Sequence, residues 1–138
     1  MWFEKRFAAA LLLAALAPSA EAGWLNGNTA GLHPALKAKL HRLHKAYGRP
    51  IHVTPQGGCR ARGNRRAPKS WHRRAVGCKA ADIVIPGVSR RTILAWWGRN
   101  IGGGRGFYCG RRFVHVDIGP ARTWTWYCQR RTRIARRR

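Results

Sequence analysis

Carboxylates are so scarce in this sequence that they constrain what it can fold into and what it can do. The 138 residues carry 28 lysines and arginines against four acids, a formal net charge of +24. Two of the acids, Glu4 and Glu21, lie in an N-terminal stretch that reads as a leader. Only Asp82 and Asp117 then remain to face all but two of the cations, and each sits near a histidine in sequence. A domain so charged repels itself and needs help from outside its core.

Part of that help is covalent. Cys59, Cys78, Cys109 and Cys128 all follow the leader. In an oxidising compartment an even number predicts two disulfides, with three connectivities open. No C-x-x-C spacing occurs, which argues against a zinc knuckle. Cys59–Cys78 and Cys109–Cys128 are the favoured pairs because they close two similar loops, each contributing roughly 3 kcal/mol through the unfolded state.

The leader is MWFEKRFAAALLLAALAPSAEA. Lys5 and Arg6 make a charged start, residues 7–16 are apolar, and Ala20-Glu21-Ala22 is a small-residue cleavage pattern. This predicts a secretory signal peptide over residues 1–22, too short and wrongly flanked to span a membrane. No later apolar run is long enough to do so. The mature chain is expected to be exported, to the periplasm or the exterior, and to form one modest domain over residues 23–128. The tail QRRTRIARRR, residues 129–138, is a charge run expected to be disordered. The positive surplus implies an anionic partner. Export argues against nucleic acid and for anionic polymers of the cell envelope, met by a monomer.

HPALKAKLHRLHKAYG places Leu36, Leu40, Leu43 and Tyr47 at helical spacing between Pro34 and Gly48. RPIHVT and AADIVI (residues 80–85) read as strands around an irregular Gly/Arg/Pro loop over residues 55–71. Ser89 is placed to cap a helix through ILAWWGR. NIGGGRG reads as a turn, Phe107–Cys109 as the start of a strand, and FVHVDIG and TWTWYC as strands around Gly119-Pro120. This order predicts an α+β fold: a single small domain, with an antiparallel sheet and flanking helices.

The strand period of two puts Val114, Val116 and Ile118 on one face of FVHVDIG, and Phe113, His115 and Asp117 on the other. His115 and Asp117 are then roughly 7 Å apart along the strand. In AADIVI the same period separates Asp82 from Ile83 and Ile85. If the two strands pair, Asp82, His115 and Asp117 converge on one face, and His72 in the preceding loop can close the group. Two histidines and a carboxylate around an open position suit a catalytic zinc site, with the second carboxylate left over as a base. A buried Asp–Arg pair explains either acid alone, so both readings stand at this point. His41 and His44, three apart on the first helix, read as solvated helix residues. Trp124 and Trp126 share a strand face and read as core or as the lining of a sugar or peptide groove.

SWHRRAVGCKAAD, residues 70–82, and FVHVDIGPARTW carry a family likeness. They resemble the motifs of the zinc D-Ala-D-Ala carboxypeptidases and related peptidoglycan endopeptidases of the lysostaphin/hedgehog-like superfamily. That pattern is S-x-H-x-x-G-x-A-x-D, followed far downstream by a strand with the last histidine. Ser70, His72, Ala80 and Asp82 match the first motif, and DIVIPGVS continues as the bacterial envelope branch does. The helix before PIHVT and an arginine in GGCRARGN also fit, so the likeness spans roughly residues 35–127. It implies an exported zinc peptidase of peptidoglycan stem peptides or cross-links, with Zn²⁺ held by His72, Asp82 and His115. Arg60 falls where such enzymes use an arginine on substrate or transition-state charge. Asp117 is left as base, as orienting partner or as a ligand itself, the first two preferred. A non-catalytic envelope-binding module on the same fold is the alternative. The sequence departs from the pattern in one respect: His72 and Asp82 are ten apart where the family spaces them seven, with three extra residues in RRAVG and Cys78 in the usual glycine position.

Overall fold

Pro34 and Gly48 bracket the first apolar repeat, and the backbone obeys both. In the computed structural model of the protein, which describes residues 23–128, helix α1 runs Pro34–Tyr47. The His33 ring accepts the Ala35 N–H at its start, and Gly48 closes it with a left-handed φ of 61°, donating to the His44 carbonyl. That conformation is the one in which a Cβ is unwelcome. Leu36, Leu40 and Leu43 are fully buried on one face. Helix α2 (Arg90–Asn100) starts at Ser89, whose hydroxyl accepts the Thr92 N–H, and buries Ile93 and Trp97. The expected leader (residues 1–22) and basic tail (residues 129–138) lie outside the described residues.

Six strands form one sheet: β1 (Leu25–Gly27), β2 (Ile51–Val53), β3 (Ala80–Val84), β4 (Gly104–Tyr108), β5 (Val114–Asp117) and β6 (Arg122–Trp126). Their order is β1-β2-β3-β5-β4-β6. The α+β expectation is met, but the sheet is mixed. The central pairs β2–β3, β3–β5 and β5–β4 are antiparallel, while β1–β2 and β4–β6 are parallel. The connections explain this. Helix α1 carries the chain back between β1 and β2, as a parallel pair requires. Strand β5 already has neighbours on both edges, so β6 reverses direction after Gly119-Pro120 and takes the free edge of β4, to which it is parallel.

Alternation then sorts the side chains. Ala81, Ile83, Val114 and Val116 are fully buried in one cluster with Leu36, Leu40, Leu43, Ile93 and Trp97 from the helices. Burying one such leucine or isoleucine contributes about 1.5–3 kcal/mol. On the opposite face the register sets Asp82 against His115 and Ala80 against Asp117. Two elements were not legible in the sequence: β1, three residues with no period to read, and a single 3-10 turn at Arg74–Val76 inside RRAVG. Strand β4 also begins inside the segment read as a glycine turn. Glycine is required there by close approach: a Cβ on Gly104 would fall 2.1 Å from Asp117 Oδ2, and one on Gly106 would fall 2.7 Å from the Trp124 ring. Both expected disulfides, Cys59–Cys78 and Cys109–Cys128, are formed. Among the described residues no helix is long and apolar enough to cross a membrane.

Candidate metal centre

Strands β3 and β5 bring Asp82 and His115 face to face, and the loop before β3 lays His72 over them. Asp82 Oδ1 is 3.1 Å from His115 Nδ1 and 3.2 Å from His72 Nε2. The two ring nitrogens are 3.1 Å apart. All three residues are buried. The other nitrogen of each ring is fixed by an acceptor. His72 Nδ1 lies 3.1 Å from the Gly58 carbonyl, and His115 Nε2 lies 2.8 Å from Asp117 Oδ2. Each of those nitrogens must carry the proton, because its partner can only accept. In their neutral form the two imidazoles then turn two lone pairs, together with a carboxylate oxygen, onto one small volume.

Three lone pairs at such distances repel unless a proton or a cation lies among them. The donor set fits a metal ion: ligand atoms held tetrahedrally at about 2.0–2.1 Å stand about 3.3 Å apart, and all three here lie within 4.8 Å of one another. The ionisation of the side chains points the same way. Burial pulls the His115 imidazole down, but Asp117 and Asp82 outweigh it and raise its pKa. Burial pushes the Asp82 carboxyl up, yet with the facing ring nitrogens protonated, as in the metal-free site, hydrogen bonds from His115 and His72 hold it down to about 2.

The ten-residue spacing is absorbed locally. The extra residues form the 3-10 turn, Gly77 takes a left-handed φ of 82°, and Cys78 follows at φ 54°. On the near side, Arg60 N–H donates to the His72 carbonyl and Arg74 N–H to the Arg60 carbonyl, both at 2.8 Å. This short parallel bridge lies beside Cys59, whose disulfide to Cys78 ties both ends of the excursion. His72 is thereby held over Asp82 and His115.

Asp117 is fully buried. Its Oδ1 accepts from Gly104 N–H and Gly119 N–H at 2.9 Å each and from Arg122 at 3.0 Å. Its Oδ2 accepts from His115 at 2.8 Å and from Arg122 at 2.7 Å. Burial opposes the charge, but the His115 and Arg122 hydrogen bonds prevail and keep this carboxyl well below the usual range. Five donors occupy the carboxylate's whole accepting capacity. Arg60 sits at the edge of the centre, donating to Asp82 Oδ2 at 3.3 Å and to the Gln56 carbonyl at 2.8 Å.

The centre forms the floor of a cleft of about 710 Å³ whose walls include Trp71, Tyr108, Trp124, Trp126 and Tyr127. Arg122 was not singled out by the sequence, although it anchors Asp117. Its only signal is its place in FVHVDIGPAR, five residues on, and one arginine among so many does not stand out. Tyr108 was missed for a similar reason: it ends the strand that the glycines disguise. His41 and His44 lie on α1 with their rings 6.0 Å apart beside Trp24 and take no part in the centre.

Similar sequences are found among known proteins. The family model described as Peptidase M15 matches residues 12–117. The chain is also 31% identical over 102 residues to the peptidoglycan L,D-endopeptidase MepK of Escherichia coli K12, and equally to the proteins of that name from E. coli O157:H7 and Shigella flexneri. Each match covers 67% of this chain and 54% of the relative, so the chain spans about half the length of the curated relatives it matches. No solved structure matches it. A family model laid over most of the sequence and relatives matched across two thirds of it agree, and the chain belongs to the M15 peptidase family.

Proposed function

We propose that this protein is an exported zinc peptidase that hydrolyses amide bonds in peptidoglycan stem peptides or their cross-links. One observation carries the reading: His72 Nε2, His115 Nδ1 and Asp82 Oδ1 turn unshared electron pairs onto one buried point at the floor of a cleft. Two imidazoles and a carboxylate are a donor set zinc favours, with a position left open for water or substrate. Zinc bound there supplies a Lewis acid that polarises a carbonyl and lowers the pKa of water toward neutrality. The name shared by the relatives supports peptidoglycan as substrate and an endopeptidase as the type.

The remaining roles fall to the chain's own residues. Asp117 orients His115 rather than acting as the base, because every accepting position on its carboxylate is taken. Arg60 holds Asp82 with one N–H and keeps others for a carboxylate or a developing negative charge in the cleft. The expected leader supports an envelope location, and the +24 charge suits attachment to anionic polymers there. The test is the zinc content of the oxidised protein beside His72→Ala and His115→Ala, followed by digestion of purified peptidoglycan. Near one zinc per chain, lost in both variants together with release of peptide fragments, is the expected result. Failure to take up zinc after reconstitution would leave only a basic envelope-binding domain.

A further inference from the structure

Tyr108 ends β4 and shares its buried face with Gly104 and Gly106, the latter paired with His115. The side chain is 8% exposed and lines the same cleft as His72, Asp82 and His115. Trp124 Nε1–H donates to the Tyr108 hydroxyl oxygen at 3.2 Å. The same indole packs against His115, ring centroids 5.0 Å apart, so one side chain links the phenol to the metal centre. Around the rest of the Tyr108 ring stand Phe113, Trp126 and Tyr127, at centroid distances of 5.2, 5.6 and 6.2 Å. Among the described residues nothing accepts the phenol's own proton. The hydroxyl's own proton is therefore left for a group bound in the cleft that Tyr108 lines. Burial raises the phenol's pKa to about 12, and the charges of Asp82 and Arg60 both reach it. It therefore keeps its proton at neutral pH.

We infer that Tyr108 is a catalytic hydrogen-bond donor, giving its phenolic proton as a hydrogen bond to the carbonyl oxygen of the scissile amide as negative charge gathers there. This rests on the peptidase reading. Trp124 fixes the phenol before substrate arrives, and a donor fixed in advance contributes most where charge develops rather than where it already exists. No proton need change owner; the bond only shortens.

The experiment compares zinc-loaded wild type with Tyr108→Phe on cross-linked stem peptides released from peptidoglycan. The expected result is a kcat lower by roughly 100-fold, a KM within about threefold, and zinc content and thermal midpoint unchanged. A phosphinate analogue of the cleaved peptide, whose charged oxygen stands where the carbonyl oxygen becomes negative, should lose affinity by a comparable factor in calorimetry. Binding of the hydrolysis products should not change. If kcat is unchanged, or only KM rises, Tyr108 merely packs the cleft wall and the inference falls while the peptidase reading stands. If wild type neither cleaves the peptides nor binds the phosphinate, both fall together.

Discussion

Asp117→Asn separates the two roles left to Asp117, because the substitution keeps its shape and reverses one of its hydrogen bonds. Oδ1 faces three donors, from Gly104, Gly119 and Arg122, so the asparagine carbonyl will take that side. Its NH₂ then replaces Oδ2, opposite His115 Nε2 at 2.8 Å and Arg122 at 2.7 Å. Two donors cannot share that contact, so the imidazole must move its proton to Nδ1. That nitrogen faces His72 and Asp82, and once protonated it cannot bind metal. Losing an orienting partner of this kind weakens metal binding by about 10–100-fold, or about 1.4–2.7 kcal/mol. The fold itself loses about 1–3 kcal/mol, since Arg122 is partly exposed and can turn to water. Chelator competition measures the affinity, and nitrogen NMR of the metal-free protein reads the His115 tautomer. A variant that binds zinc within twofold of wild type but no longer cleaves peptide would refute the argument and restore Asp117 as the base.

The disulfide that closes the longer His–Asp spacing has its own consequence. Replacing Cys59 and Cys78 together by serine should cost about 3 kcal/mol in urea unfolding, from the loop it closes, and should weaken zinc binding at least tenfold because His72 is carried on that loop. Lost stability with metal affinity intact would show that the Arg60–Arg73 bridge alone seats His72. The metal-free protein should be most stable at mildly acidic pH. The Asp82 carboxyl is held down to about 2 in the fold against about 3.9 unfolded, so its contribution, roughly 2–3 kcal/mol, is present above pH 4 and lost as pH falls through 2. His115, raised in the fold, contributes fully below about 6.5 and loses its contribution as pH rises through its folded value. Zinc requires the neutral imidazole, so loading should move the optimum upward; a pH–stability curve that zinc raises evenly would contradict this.

What the sequence displayed and what it concealed have physical causes. Alternation in FVHVDIG and AADIVI assigned faces correctly because each strand is buried on one side by helices, so the period is enforced residue by residue. That alone set Asp82 against His115 once the strands paired. The helices were legible through their caps, Ser89 and Gly48. Strand β4 was concealed because two of the three positions on its site face carry no side chain: Gly104 and Gly106 make room for Asp117 and Trp124, and glycines so close together read as a turn. The parallel placement of β6 followed from which sheet edge was free, a fact no local pattern holds. Of the partners of Asp117, Gly104 was hidden for the same reason, since it lies on another strand, whereas Gly119 and Arg122 are only two and five residues on and did not stand out among so many glycines and arginines.

The scarcity of acid also decides the electrostatics of the centre. Arg60, Asp82, His115, Asp117 and Arg122 form one contiguous line in which each carboxylate is matched by a guanidinium. With neutral imidazoles the line sums to zero, so no local surplus of negative charge draws a cation in. The rest of the chain, at +24, repels one. Metal affinity must then come from the placement of three donor atoms against an unfavourable distant field. Salt screens that field over about 8 Å at physiological ionic strength but hardly touches bonds to a buried ion. Zinc binding, measured by equilibrium dialysis, should therefore tighten by a few-fold between low and physiological salt. Adsorption to an anionic envelope polymer should weaken over the same range. Parallel weakening of both would mean that the ion is held by attraction rather than by geometry, and that the converging lone pairs are not its site.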